Sequence, residues 1–239
     1  MKRTAFLIDG FNLYHSTKEI EDKHDSYVKW LDLVGMCKSQ LPHIHKTATL
    51  ASIHYFTAYR DFLFSYDPES VKRHRLYVQC LKAFDVNVVL GRFKSKETFC
   101  NKCKKTFTKH EEKETDVSIA VQLIELFVKN ECDIVVLITG DTDLVPAIKT
   151  ARSLFPGKEI IVGFPFGRKN NELVRASNRH FKILKERYES HQFADPLILP
   201  DGNVIRKPEE WKKEHPRNAN KYEDKIKELT AKYNPKLSS

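Results

Sequence analysis

Short apolar runs of strand length recur along this chain with helix-length segments between them, and this alternation restricts the fold more than any other feature. Residues 4–9, 53–57, 86–90, 134–139 and 159–162 are rich in β-branched, aromatic and aliphatic side chains, and a last short run covers 181–184. Strands that are apolar along their whole length are buried on both faces, and connections long enough to hold a helix let successive strands run parallel. Helical spacing follows at 28–41, where Val28, Leu31, Val34 and Met36/Cys37 recur and Ser26 is the expected N-cap. Residues 68–84 open on a proline and carry Val71, Val78 and Leu81. Residues 116–128 are apolar over most of a helical circumference, and 144–154 supply a further helix. The expected architecture is α/β: a doubly wound parallel sheet covered on both faces by helices, in three layers.

The expected domain runs from 1 to 186, interrupted at 92–113 by a basic stretch without periodicity. A C-terminal extension, 187–239, follows. Within it LILPDGNVIRKP reads as a hairpin around Pro200-Asp201-Gly202, and 221–233 as an amphipathic helix with Tyr222, Ile226 and Leu229 on one face.

At 239 residues the chain can bury one substantial core. It holds no apolar run near the roughly 18 residues that a membrane span needs. Asp9 cuts short the apolar stretch after Met1-Lys2-Arg3, so neither export nor a membrane partner is expected. Five cysteines in a chain of this length suit a reducing compartment, hence the cytoplasm. A net charge of +9 favours polyanionic partners, nucleic acid first among them.

In open α/β sheets ligands bind beyond the carboxyl ends of the strands, which gives weight to acids found there. Asp9 ends the first apolar run, Asp141 and Asp143 follow the run at 134–139 across Gly140, and Asp116 lies in the opening turn of a helix. Each alone could be a turn residue or a cap. Together they present a problem, because two unit charges about 4 Å apart repel by roughly 4 kcal/mol at an effective dielectric of about 20. Several such pairs would consume much of the roughly 5–15 kcal/mol that holds a domain together. Either some of these acids are protonated or a cation lies among them, and hard oxygen ligands suit Mg²⁺ or Mn²⁺. An aspartyl-phosphate phosphatase would need a second acid two positions beyond Asp9, where this chain has Phe11.

FLIDGFNLYH, EEKETDVSIA and LITGDTDLVPAI, in this order between alternating strands and helices, resemble the NYN-domain family of PIN-like ribonucleases over residues 4–184. The resemblance implies a divalent-metal-dependent endoribonuclease site at the carboxyl edge of the sheet, carried by Asp9, Asp116, Asp141 and Asp143. It also implies that Asn12 orients the first acid and that Thr139 supplies a hydroxyl beside the acidic pair. A non-catalytic nucleic-acid-binding or regulatory module on the same fold is the alternative.

The insertion carries Cys100-x-x-Cys103 and His110, three of the four ligands of a structural zinc site, with Glu111, Glu112 or His74 as candidates for the fourth. A pair of surface thiols is the competing interpretation. Lys94, Lys104 and Lys105, interleaved with Phe93, Phe99 and Phe107, make the insertion a candidate grip on single-stranded or structured RNA. Arg168, Lys169 and Arg175 are further candidates for backbone phosphate contacts. Trp211 and its basic neighbours suit docking on the main domain, RNA binding or assembly, a homodimer included.

Overall fold

The computed structural model describes residues 1–102 and 104–213; Cys103 and the expected helix at 221–233 lie outside the described residues. Six parallel strands form the central sheet: β1 (Lys2–Asp9), β2 (Ala48–Thr57), β3 (Asn87–Leu90), β6 (Ile134–Ile138), β7 (Glu159–Phe164) and β8 (Arg179–Lys182). Their order is β3-β2-β1-β6-β7-β8. The chain builds outward from β1 through β2 to β3, then crosses back to lay β6 against the other side of β1. That reversal opens a crevice between the carboxyl ends of β1 and β6.

Alternation along the strands sends side chains into two cores. Phe6 and Ile8 of β1, with Val136 and Ile138 of β6, pack under α1 (Gly10–His24), α2 (Leu33–Ile44) and α3 (Pro68–Ala83). Ala5, Leu7, Val135 and Leu137 face the opposite way, against α4 (Thr115–Val128), α5 (Val145–Leu154) and α6 (Asn171–Ala176). The three-layer α/β/α expectation holds. Among the described residues no helix is long and apolar enough to cross a membrane.

Three local expectations change. The helix after β1 begins at Gly10, not at residue 28: Asp9 caps it by accepting from the Asn12 N–H at 3.0 Å. Its inward stripe is hard to see in sequence because Ser16, Thr17 and Glu21 share it with Leu13 and Ile20. Gly10 is required there, since a Cβ would lie 2.5 Å from the Phe56 carbonyl oxygen. The next helix starts at Leu33, capped by Asp32, which accepts from Gly35 N at 2.9 Å; Ser26 instead donates to Glu189 at 2.6 Å. Finally, the insertion is not irregular. It is an antiparallel hairpin, β4 (Arg92–Phe99) and β5 (Thr106–Lys113), paired from Arg92↔Lys113 to Phe99↔Thr106.

Beyond residue 184 come α7 (Lys185–Ser190) and the expected small hairpin, β9 (Leu197–Ile198) with β10 (Val204–Ile205). Tyr188, Phe193, Leu197 and Leu199 belong to the same core as α1–α3. Trp30, fully buried, sits within ring-packing distance of Tyr77 (6.3 Å), Phe193 (5.6 Å) and Trp211 (6.0 Å). Of the roles open to Trp211, docking on the main domain is the one seen. A chain ended at residue 186 should therefore unfold at lower urea concentration than one ended at 213, by several kcal/mol, because each large apolar side chain withdrawn from a core costs about 2–5 kcal/mol. Equal midpoints would show that 187–213 is dispensable to the core.

Candidate active site

Asp9 is only 3% exposed, and its carboxylate is held from three directions. Asn12 donates its backbone N–H to Oδ1 and its side-chain amide to Oδ2, while Thr139 Oγ1 donates to Oδ2 at 2.9 Å. Thr139 follows β6 directly, and its hydroxyl oxygen in turn accepts from the Asp141 N–H at 3.0 Å. Asn12 Oδ1 accepts from Gly140 N at 3.2 Å, so one side chain ties the end of β1 to the loop after β6. A Cβ at residue 140 would come within 2.6 Å of the Arg168 carbonyl oxygen, which explains the glycine.

Asp116, in the first turn of α4, completes the cluster. Carboxylate oxygens of Asp9, Asp116 and Asp141 all lie within 4.8 Å of one another. Asp143 does not join them: Asp141 caps the 3-10 turn Thr142–Leu144 by accepting from the Asp143 N–H, and this leaves the Asp143 side chain exposed at the rim. It remains close enough to act on Asp116 electrostatically. Burial raises Asp9, with Asp141 adding to the effect. Burial, then Asp141, Asp9 and Asp143, push Asp116 up to about 6.

Glu112 is a fourth acid of this neighbourhood, considered in the sequence only as a zinc ligand. Burial raises it to about 7, with smaller contributions from Asp9, Asp116 and Asp141, and it accepts a short hydrogen bond from Thr115 Oγ1. Its neighbour Glu111 points the other way, between Lys109 and Lys113 at 3.0 and 3.1 Å, whose hydrogen bonds lower it to about 2. No pattern in the sequence marks this difference, which follows from the alternating side-chain direction of a strand once residues 106–113 are recognised as one.

This donor set fits a hard divalent cation. The clustered ligands are carboxylate oxygens, and two of the three are pushed toward protonation by burial and by one another's charge, which a cation would offset. Residues 3–184 match the NYN domain. The chain belongs to the NYN-domain family. The family places it in the PIN-like nuclease superfamily, and an acid cluster able to hold a metal is present at the expected crevice. The chain is also similar to 6-hydroxy-3-succinoylpyridine 3-monooxygenase HspA of Pseudomonas putida, 25% identical over 87% of this chain and 75% of that protein. A solved structure of a protein of unknown function from Vibrio parahaemolyticus aligns over 77% of this chain and 94% of its own, with 16% identity and a TM-score of 0.48.

Elsewhere on this NYN domain the zinc expectation meets a geometric obstacle. His110 stands opposite Ser95 in the hairpin, and Cys100 lies five residues further along β4, beyond the last pair. At about 3.3 Å per residue that is roughly 16 Å, too far for ligands of one zinc ion. His110 instead stacks on Phe62 at 3.8 Å. Lys94, Lys104 and Lys105 are exposed on the hairpin, the last two at its tip, roughly 20 Å along the strand from Glu112. Lys169 and Arg175 are exposed too. Arg168 packs beside Gly140, with Nη2 3.5 Å from Glu19.

The acid pKa values predict a pH-dependent response to cations. Asp116 and Glu112 are raised in the folded state, so the stability they contribute when protonated is present below their ordinary range and lost as pH rises through about 6 and about 7. A divalent cation should offset that loss. Mg²⁺ or Mn²⁺ at about 100 times its Kd should raise the melting temperature by roughly 5–10 °C at pH 8 and by much less at pH 5. Equal shifts at both pH values in differential scanning calorimetry would contradict this account.

Proposed function

We propose that this chain is an endoribonuclease that hydrolyses RNA phosphodiester bonds with Mg²⁺ or Mn²⁺. The observation that carries the proposal is the convergence of Asp9, Asp116 and Asp141 oxygens within 4.8 Å at the point where the strand order reverses. A divalent cation held by these three acids would supply charge stabilisation for the phosphodiester undergoing attack. Asn12 and Thr139 are positioning residues, since they fix the Asp9 carboxylate and the loop that carries Asp141. Asp143 and Glu112 flank the cluster and set its negative field. The exposed lysines of the hairpin, with Lys169 and Arg175, would contact backbone phosphates.

A purely binding module is disfavoured because carboxylates facing a phosphate weaken binding and serve it no purpose. The monooxygenase name of the Pseudomonas relative describes that protein. The three clustered ligands here are all carboxylates, whereas the recurring non-haem iron oxygenase set is two histidines and one carboxylate.

Single-turnover cleavage of labelled single-stranded RNA and DNA, with Mg²⁺, Mn²⁺ or chelator, tests the proposal. Asp141→Asn should reduce RNA cleavage to background while leaving RNA binding intact or tighter, because a repulsive charge is gone. Asn12→Ala should cost about 10–100-fold in rate, the usual effect of removing a partner that orients a ligand. Full cleavage by Asp141→Asn would refute the assignment. Neutralising Lys104 and Lys105 together should weaken RNA binding across sequences and make the slope of log K against log salt shallower by roughly 1.4, with the rate at saturating RNA unchanged.

A further inference from the structure

On the α1–α3 side of the sheet a cavity of about 410 Å³ opens beside the acid cluster. The two share a wall: Gly10 and Phe11, which follow Asp9 directly, line the cavity, and so does Phe93, which stands opposite Glu112 in the hairpin. Its volume falls within the roughly 300–1,000 Å³ of small-molecule sites. Aromatic rings form much of the lining. Phe93 packs edge-on against Phe11 at 5.8 Å and Phe62 at 5.1 Å, and Phe62 stacks on His110 with planes 4° apart.

The polar groups in this cavity suit the edge of a heterocycle and an anion near it. Thr57 Oγ1 lies 3.2 Å from His74 Nε2, and burial, with Arg60 and Arg75 nearby, pushes His74 down to about 4, so the imidazole is neutral at pH 7. None of the lining residues is acidic. Lys29 and Arg73 are paired, with Glu21 at 2.5 Å and Glu210 at 2.6 Å, whereas Arg60 has no ion pair among the described residues and lies against the Phe62 ring.

We propose that this cavity receives one unstacked nucleobase of the RNA strand, with Arg60 on the phosphate beside it and the scissile phosphodiester at the acid cluster; the last element rests on the endonuclease proposal above. Every nucleobase has two π-faces for the aromatic walls, and hydrogen-bonding edge atoms for Thr57 and His74. A free aromatic acid would also satisfy the rings and Arg60. The base is favoured because a strand gripped by the hairpin lysines, with its scissile phosphate on a cation held by the neighbouring acids, would keep its bases at the cavity mouth, at high effective concentration. Cleavage would then require an unpaired nucleotide at one fixed position from the cut.

Two measurements on the full chain decide the matter. In the first, a single abasic site is walked along a single-stranded RNA and single-turnover kcat/KM is recorded. Loss of the base at one fixed distance from the cut should lower kcat/KM about 10–100-fold; Phe62→Ala should impose a similar loss on intact RNA and become indifferent to the abasic site. In the second, nucleoside 5′-monophosphates, benzoate and nicotinate are titrated calorimetrically without divalent cation into the native protein, Phe62→Ala and Ser70→Phe, the last of which fills the cavity. Mononucleotide binding that both variants weaken at least about 10-fold supports the proposal. A flat abasic profile in a protein that does cleave overturns it while leaving the endonuclease reading intact. No cleavage, but mononucleotide binding abolished by both variants, refutes the endonuclease reading and supports the nucleobase assignment. Absence of both overturns the assignment, as does binding of benzoate or nicotinate without any mononucleotide.

Discussion

A carboxylate buried at the end of a central strand must be held by donors, because an unpaired buried charge costs several kcal/mol. Asp9 takes three donors, and satisfying them dictates much of what surrounds it. The helix α1 has to begin at once, so that Asn12 can offer both its backbone and side-chain N–H groups and the helix N-terminus can favour the negative charge. The strand β6 has to end beside β1, so that Thr139 can donate. The loop beyond Thr139 must pass close to Arg168, which only glycine permits at position 140. Holding one carboxylate therefore fixes where two strands, one helix and one loop meet.

The same two strands show the opposite electrostatics at their other end. Arg3 at the start of β1 donates its backbone N–H to Asp133 at 2.9 Å and its guanidinium at 3.0 Å, and Lys158 adds a second cation at 3.4 Å. Asp133 is held well below the usual carboxylate range as a result. Opposite charges meet at the amino edge of the β1–β6 pair, and like charges meet at the carboxyl edge. The first arrangement is complete in itself and fastens the strands. The second concentrates like charge in a crevice, an arrangement that a cation or a proton would relieve and that a structural ion pair would not create.

How much of this could be read from sequence depended on whether a segment's pattern was local. The buried strands were legible because apolar runs such as IVVLI need no partner to be recognised. Asp9, Asp116 and Asp141 were legible because each sits at a strand or helix end, where position in the chain fixes position in the sheet. The helix α1 was hidden because it buries two hydroxyls and a glutamate, which hydrogen bonds and ion pairs tolerate but hydropathy does not show: Ser16 donates to the Phe166 carbonyl at 2.8 Å, and Glu21 pairs with Lys29. Glu112 was hidden because its role depends on hairpin register, a long-range property. The expected pairing of His110 with Cys100 around zinc runs against the register for the same reason: the two are close in sequence but sit at well separated rungs of one ladder.

The hairpin also shows why strong positive and negative charge can coexist on one small domain. Its two faces sort adjacent residues into opposite environments, Glu111 outward between lysines and Glu112 inward toward the acids. Its length separates the tip lysines from the cluster by about twice the Debye length of roughly 8–10 Å that prevails near physiological salt. Lys104 and Lys105 are therefore too well screened to neutralise the acids, and the acids too well screened to cancel the positive field at the tip. A shorter arm would lose that independence: lysines beside Asp116 would pair with it, lower its pKa, and occupy the place a cation could take. The length of β4 and β5 thus keeps a basic tip apart from an acid cluster that could hold a metal.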